Sequence, residues 1–124
     1  MRTLVPQSFK PTPNGLACDD VSLEAIVERV GTPVYVYSAY AIREAYRAFD
    51  DVFAAYPHAI HYALKANSTL SIVRLLRSIG SKIDANSGGE IQVAQRAGYM
   101  PGDIVFTGVG KTRDELAYAI AAGI

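Results

Sequence analysis

Lys65 closes the apolar part of the run Ile60-His61-Tyr62-Ala63-Leu64-Lys65-Ala66-Asn67, which places an ammonium at the end of a strand-like segment. A lysine in that position is expected to bury its stem, and burial drives an ammonium toward its neutral form. The neutral amine condenses with aldehydes, which is the chemistry a Schiff-base cofactor needs. The competing reading is a lysine that snorkels from the strand end to water. Asp84, in Lys82-Ile83-Asp84-Ala85-Asn86-Ser87, is an acid inside an apolar-patterned segment, where it needs a partner. A strand-end lysine or the polar groups of a cofactor would supply one; a solvated aspartate capping the next helix is the alternative. Ser87 and Glu90 have the spacing of a capping box, which by itself accounts for both.

Gly108-Val109-Gly110-Lys111-Thr112 resembles the end of a phosphate-binding loop, but Val105 stands where that motif needs its first glycine. A nucleotide site on Lys111 therefore competes with a solvated Lys111 followed by Thr112 as a helix cap. His58 and His61 have no partners at metal-ligand spacing, and no metal site is expected. Cys18 sits in a loop-like stretch without a base beside it, a weak setting for a nucleophile.

The elements that must position these groups follow from periodicity. Residues 1–20, rich in Pro, Asn and Gly, read as an irregular arm. Val21 to Val30 has helical spacing, with Ser22 as N-cap and Gly31 as the stop. Pro33 to Tyr37 is β-branched and aromatic and predicts a strand. Ala39 to Ala55 predicts an amphipathic helix with Ile42, Tyr46, Phe49 and Phe53 on one stripe, ended by Pro57.

From residue 60 a regular alternation begins. Strands at 60–65, 82–86 and 104–107 alternate with helices at 70–79, 89–97 and 114–122, each helix closed by glycine. This alternation predicts parallel βαβ units, hence an α/β fold with sites at the C-terminal strand ends. Lys65, Asp84, Asn86 and Thr107 all fall at such ends. Strand alternation puts His61, Ala63 and Lys65 on one face, with small Ala63 leaving room for a planar ligand. A full (β/α)8 barrel needs ~250 residues. The chain stops where a fourth strand is due, so it is expected to be the N-terminal portion of a larger protein. A small complete three-layer domain is the alternative.

Composition limits the function classes. The chain has 124 residues, half of them hydrophobic, and 12 basic groups balance 12 acidic ones. That balance gives no nucleic-acid or membrane-surface footprint, and no run approaches the ~18 apolar residues of a membrane span. The N-terminus lacks an apolar signal core, and one cysteine cannot form an internal disulfide; both fit a cytoplasmic protein.

The segment Tyr62-Ala63-Leu64-Lys65-Ala66-Asn67 resembles the Y-A-x-K-A-N segment of fold-type III pyridoxal-phosphate decarboxylases, barrel enzymes related to alanine racemase. Asp84-Ala85-Asn86-Ser87-Gly88-Gly89-Glu90 is similar to their D-x-x-S-x-G-E segment, and Ile104 to Thr112 to their I-x-F-x-G-x-x-K-[ST] segment. Thr32 to Tyr37 matches their opening strand, so the likeness runs through residues 20–124 in order. Within the family, S-G-G-E with this loop is most similar to the branch acting on meso-diaminopimelate in lysine biosynthesis. The ornithine and arginine branches tend to depart from it.

The resemblance implies pyridoxal 5′-phosphate as cofactor, an amino acid as substrate, and Lys65 as the lysine that bonds the cofactor. It places Asp84 and Glu90 close to the cofactor. It also implies an arm at 1–38 joining a separate β-domain, a partial (β/α)8 TIM barrel at 39–124, and a homodimer with interfacial sites. Family phosphate-binding and ring-stacking residues lie later, so the isolated chain is expected to be inactive, with aggregation-prone open sheet edges. A non-catalytic cofactor-binding module remains an alternative reading.

Overall fold

The computed structural model describes residues 8–124, which form two compact units, one ending at Ala48 and one spanning Phe49–Ile124. In the first, strands β1 (Phe9–Thr12), β2 (Gly15–Cys18) and β3 (Val21–Ser22) make an antiparallel sheet in that order. The expected irregular arm is thus a hairpin from Phe9 onward; residues 1–7 lie outside the described residues. Both connections are two-residue turns. Pro13-Asn14 pairs Thr12 with Gly15, and Thr12 Oγ1 donates to the Gly15 carbonyl at 2.9 Å. Asp19 and Asp20 both take positive φ (48° and 67°), the mirror-type turn that matches strand twist and that aspartate tolerates.

Helix α1 (Leu23–Val30) starts as expected, with Ser22 Oγ accepting the Ala25 N–H, and Gly31 ends it. Pro33–Tyr37 forms no strand among the described residues. Its β-branched and aromatic side chains have no ladder to join, and Tyr35 is 89% exposed. Helix α2 (Ala39–Phe53) begins at buried Ser38, whose Oγ accepts the Ala41 N–H at 2.9 Å.

Asp19 secures that helix start. Its carboxylate accepts the Ser38 hydroxyl at 2.6 Å and the Tyr40 N–H at 3.0 Å. The Ser38 hydroxyl and then the Tyr40 amide hold the Asp19 carboxyl below its usual range. A carboxyl lowered in the folded state stabilises the fold above its unfolded pKa and loses that contribution as pH falls through the folded value. Asp19→Asn is therefore expected to lower the urea midpoint at neutral pH. The gap to the parent protein should close as pH drops below about 4, the range where free carboxyls protonate. A gap of constant size from neutral pH to acid would contradict this role.

The second unit is built from three parallel strands, β4 (His61–Ala63), β5 (Lys82–Ala85) and β6 (Ile104–Phe106), in that order. Helices α3 (Leu70–Ser78), α4 (Gly88–Ala97) and α5 (Arg113–Ala121) alternate with them. The α/β class and the strand–helix rhythm stand, with each strand shorter than its sequence pattern. Register places Tyr62 beside Ile83 beside Ile104, and Ala63 beside Asp84 beside Val105. One face thus carries Leu64, Ile83, Ala85 and Ile104 into a core with Val73, Ile91, Ala94 and Ala119 of the helices. The other face carries exposed His61 and Val105 and half-buried Ala63, Lys82 and Asp84. Alternation along each strand decides this division. Gly98 ends α4 at φ 95°, ψ 15°, the left-handed position that glycine takes without a Cβ penalty.

Candidate active site

The C-terminal ends of β4, β5 and β6 bring Lys65, Asp84, Asn86 and Thr107 to one edge of the parallel sheet. Lys65 does not lie in the strand. β4 stops at Ala63, Leu64 drops into the core, and the Ala66 N–H closes on the Ala63 carbonyl at 3.0 Å. This turn carries Lys65 past the sheet, where it is exposed, so the expected burial of its stem is not found. Among the described residues its ammonium has no hydrogen bond or ion pair. The turn is tied at both flanks. The Leu64 N–H donates to the Asp84 carbonyl at 3.0 Å, and Tyr62 Oη donates to the Asn67 carbonyl at 3.2 Å. Asn67 Oδ1 then accepts the Thr69 N–H at 2.9 Å, at the entrance to α3.

Asp84 is half-buried, and its partners are neither a lysine nor a helix N-terminus. Its Oδ1 accepts the Thr107 hydroxyl and Asn86 Nδ2, the latter at 3.3 Å. Asn86 Nδ2 also donates to Thr107 Oγ1 at 2.6 Å, so both amide hydrogens are used and three strand-end side chains form a triangle. The triangle joins the ends of β5 and β6. Neutral donors, in place of a cation, thus partner the carboxylate through Oδ1.

Ser87 caps α4 as its spacing predicts, with Oγ accepting the Glu90 N–H at 3.2 Å. The Glu90 carboxylate reaches one residue further back than in an ordinary capping box and accepts the Asn86 N–H at 2.7 Å. Thr112 caps α5, and Glu115 closes a full capping box on it. Glu115 also accepts the Gly88 N–H at 2.9 Å, a link across two βα units that local sequence spacing could not signal. Hydrogen bonds from Gly88 and then Thr112 hold the Glu115 carboxyl below its usual range.

Lys111 folds back, with Nζ donating to the Gly108 carbonyl at 2.5 Å and lying 4.6 Å from the Phe106 ring centroid. An ammonium so engaged gives a phosphate-gripping loop no support. His58 pairs with Asp50 at 3.0 Å, and His61 Nδ1 donates to the Ile83 carbonyl at 3.2 Å. Among the described residues no group of three or more His, Cys, Asp and Glu could hold a metal ion, and no helix is long and apolar enough to cross a membrane. Cys18 is buried and free, and burial raises its thiol pKa.

Arranged this way, the sheet edge offers an exposed primary amine for covalent chemistry and a fixed carboxylate on the adjoining strand. Comparison with known proteins gives the same region a family. Residues 39–124 match the family model for the pyridoxal-dependent decarboxylases, pyridoxal binding domain. The chain is 43% identical over 109 residues to diaminopimelate decarboxylase of Pseudomonas aeruginosa, covering 88% of this chain and 26% of that protein. It spans about a quarter of the length of the curated relatives it matches. Helicobacter pylori diaminopimelate decarboxylase, solved with L-lysine, superposes with TM-score 0.78 at 41% identity, over 83% of this chain and 26% of that one. A Vibrio vulnificus lysine/ornithine decarboxylase solved with putrescine superposes with TM-score 0.73 at 30% identity, over 82% and 27%.

Proposed function

The chain belongs to the pyridoxal-dependent decarboxylases, and on that footing we propose that it serves the decarboxylation of an amino acid with pyridoxal 5′-phosphate as cofactor. The observation that carries this reading is Lys65, an exposed amine without a partner among the described residues, on a turn tied at both flanks at the mouth of a parallel sheet. We assign meso-diaminopimelate as substrate and L-lysine as product. The relatives named for that reaction and the S-G-G-E segment at 87–90 support this choice. Ornithine or arginine is the alternative within the family.

The residues present suit the cofactor. Lys65 offers the amine that an aldehyde requires, small Ala63 ends the strand before its turn, and Asp84 is fixed beside Ala63 on the neighbouring strand. Lys65 would hold pyridoxal phosphate covalently through Nζ, with Asp84 and Glu90 beside it, Glu90 through the Asn86 backbone it braces. Bound pyridoxal phosphate supplies the electron sink for the bond broken as carbon dioxide leaves. Lys65, as a free amine, holds and returns a proton at Nζ. Residues 39–124 are proposed as the opening units of a (β/α)8 barrel and 1–38 as an arm of a β-domain, in a homodimer. Superposition on solved decarboxylases supports the barrel reading.

The test offers the whole protein, loaded with cofactor, meso-diaminopimelate, L-ornithine and L-arginine in parallel, with release of carbon dioxide and amine product measured. Lysine formation is expected to exceed either competitor by at least about a hundredfold in kcat/KM, since a polar pocket rejects analogues that leave its groups unpaired. Preference for ornithine or arginine would contradict the substrate assignment. Bound cofactor without turnover would point to a binding module.

A further inference from the structure

We propose that Glu115 is a positioning residue for Asp84, acting from the third βα unit through the backbone of the second. The inference rests on the reading of Lys65 and Asp84 given above. The starting observation is that Glu115 does more than a helix cap requires. Its Oε2 accepts the Thr112 N–H at 3.0 Å and the Thr112 hydroxyl at 3.1 Å, which completes the box on α5. Its Oε1 leaves that helix and accepts the Gly88 N–H at 2.9 Å, 27 residues away in sequence.

Gly88 is the first residue of α4, and its N–H is among those that helix geometry leaves without an intrahelical acceptor. One residue before the Ser87 cap, the Asn86 N–H is taken by Glu90. The N–H groups of the two residues that flank Ser87, Asn86 and Gly88, are therefore held by carboxylates from two different helices. Both carboxylates also lie at the positive end of the α4 dipole, which strengthens charge-assisted bonds there. The consequence reaches the site because Asn86 is the residue whose side chain holds Asp84 Oδ1 and Thr107 Oγ1. Fixing the Asn86–Gly88 backbone fixes the amide that fixes the carboxylate. The glycine leaves room for this contact: a Cβ at position 88 would lie 3.3 Å from Glu115 Cγ, so that the glutamate would have to shift by a few tenths of an ångström.

The competing reading is that Glu115 only caps α5. Thr112→Ala separates the two, because it removes the cap hydroxyl and leaves the Glu115–Gly88 bond. Glu115→Ala removes both, and Glu115→Gln keeps an uncharged acceptor for Gly88. Amide hydrogen exchange on the whole protein, without and then with pyridoxal phosphate, reads the latch directly. Glu115→Ala is expected to speed exchange at Gly88 and Asn86 by about tenfold or more, the loss of a charge-assisted bond. It should also lower kcat and shift the pH profile of decarboxylation, while Glu115→Gln recovers part of both and Thr112→Ala moves neither. Equal loss of melting temperature in Glu115→Ala and Thr112→Ala, with Gly88 exchange and pH profile as in the parent, would overturn the proposal. If the parent binds no cofactor at Lys65, the decarboxylase reading falls by itself. Faster exchange at Gly88 and Asn86 in Glu115→Ala would still support the latch.

Discussion

Lys65→Ala is expected to lower the decarboxylation rate by about a hundredfold to ten-thousandfold, the range for removing a positioned proton-transfer group. The same substitution should leave stability within about 0.5 kcal/mol, because exposed, unpartnered side chains contribute little to folding. Lys65 meets both conditions, being exposed and without a hydrogen bond among the described residues. The contrast between a large kinetic loss and an unchanged urea midpoint distinguishes a chemical role from a structural one. A comparable fall in both would mean that Lys65 supports the fold, and a rate near the parent's would remove it from the chemistry.

Leu64→Ala should do the reverse. Leu64 is fully buried and packs in the cluster with Val73, Ile83, Ala85 and Ile91. Truncating a leucine in such a site costs about 2–5 kcal/mol from lost transfer energy plus the cavity. Against the 5–15 kcal/mol that typically holds a domain folded, that is a large share. The effect also bears on function, because the Leu64 N–H bonded to the Asp84 carbonyl is the last ladder contact before the Lys65 turn. Denaturant unfolding measures the loss, with Val105→Ala on the half-exposed strand face as a control of small effect. A Leu64→Ala cost below about 1 kcal/mol would show that this cluster is not the core.

Much of the second unit, and the start and stop of α1, were legible in the sequence because their signals are local. Periodicity placed the three strand–helix units in order, and glycines at 31 and 98 stopped helices where the pattern lapsed. The expected caps at Ser22, Ser87 and Thr112 are all present, because a side chain and an amide a few residues on decide them. Other features depended on partners that spacing cannot reveal. Pro33–Tyr37 has strand composition but no ladder, and the hairpin from Phe9 was hidden by Pro11 and by an Asp-Asp turn at positive φ.

Within the candidate site the limits were tertiary. The sequence marked Asp84 as an acid in need of a partner, and the structure supplies Thr107 and Asn86 instead of a cation. Glu90 was legible as a capping residue; its reach back to Asn86 was not. The bond from Glu115 to Gly88 joins two units through a backbone amide, which no residue type announces. Lys65 was singled out by its neighbours in sequence, yet its exposure follows from a turn one residue past the strand.

The central claim, that Lys65 carries the cofactor, is tested most directly by borohydride reduction of the whole protein loaded with pyridoxal phosphate, followed by peptide mass spectrometry. Reduction makes the bond between the cofactor and its lysine permanent. The account predicts a phosphopyridoxyl group on the peptide containing Lys65 and on no other lysine. A label on Lys10, Lys82 or Lys111, or no label on protein that has bound the cofactor, would contradict it.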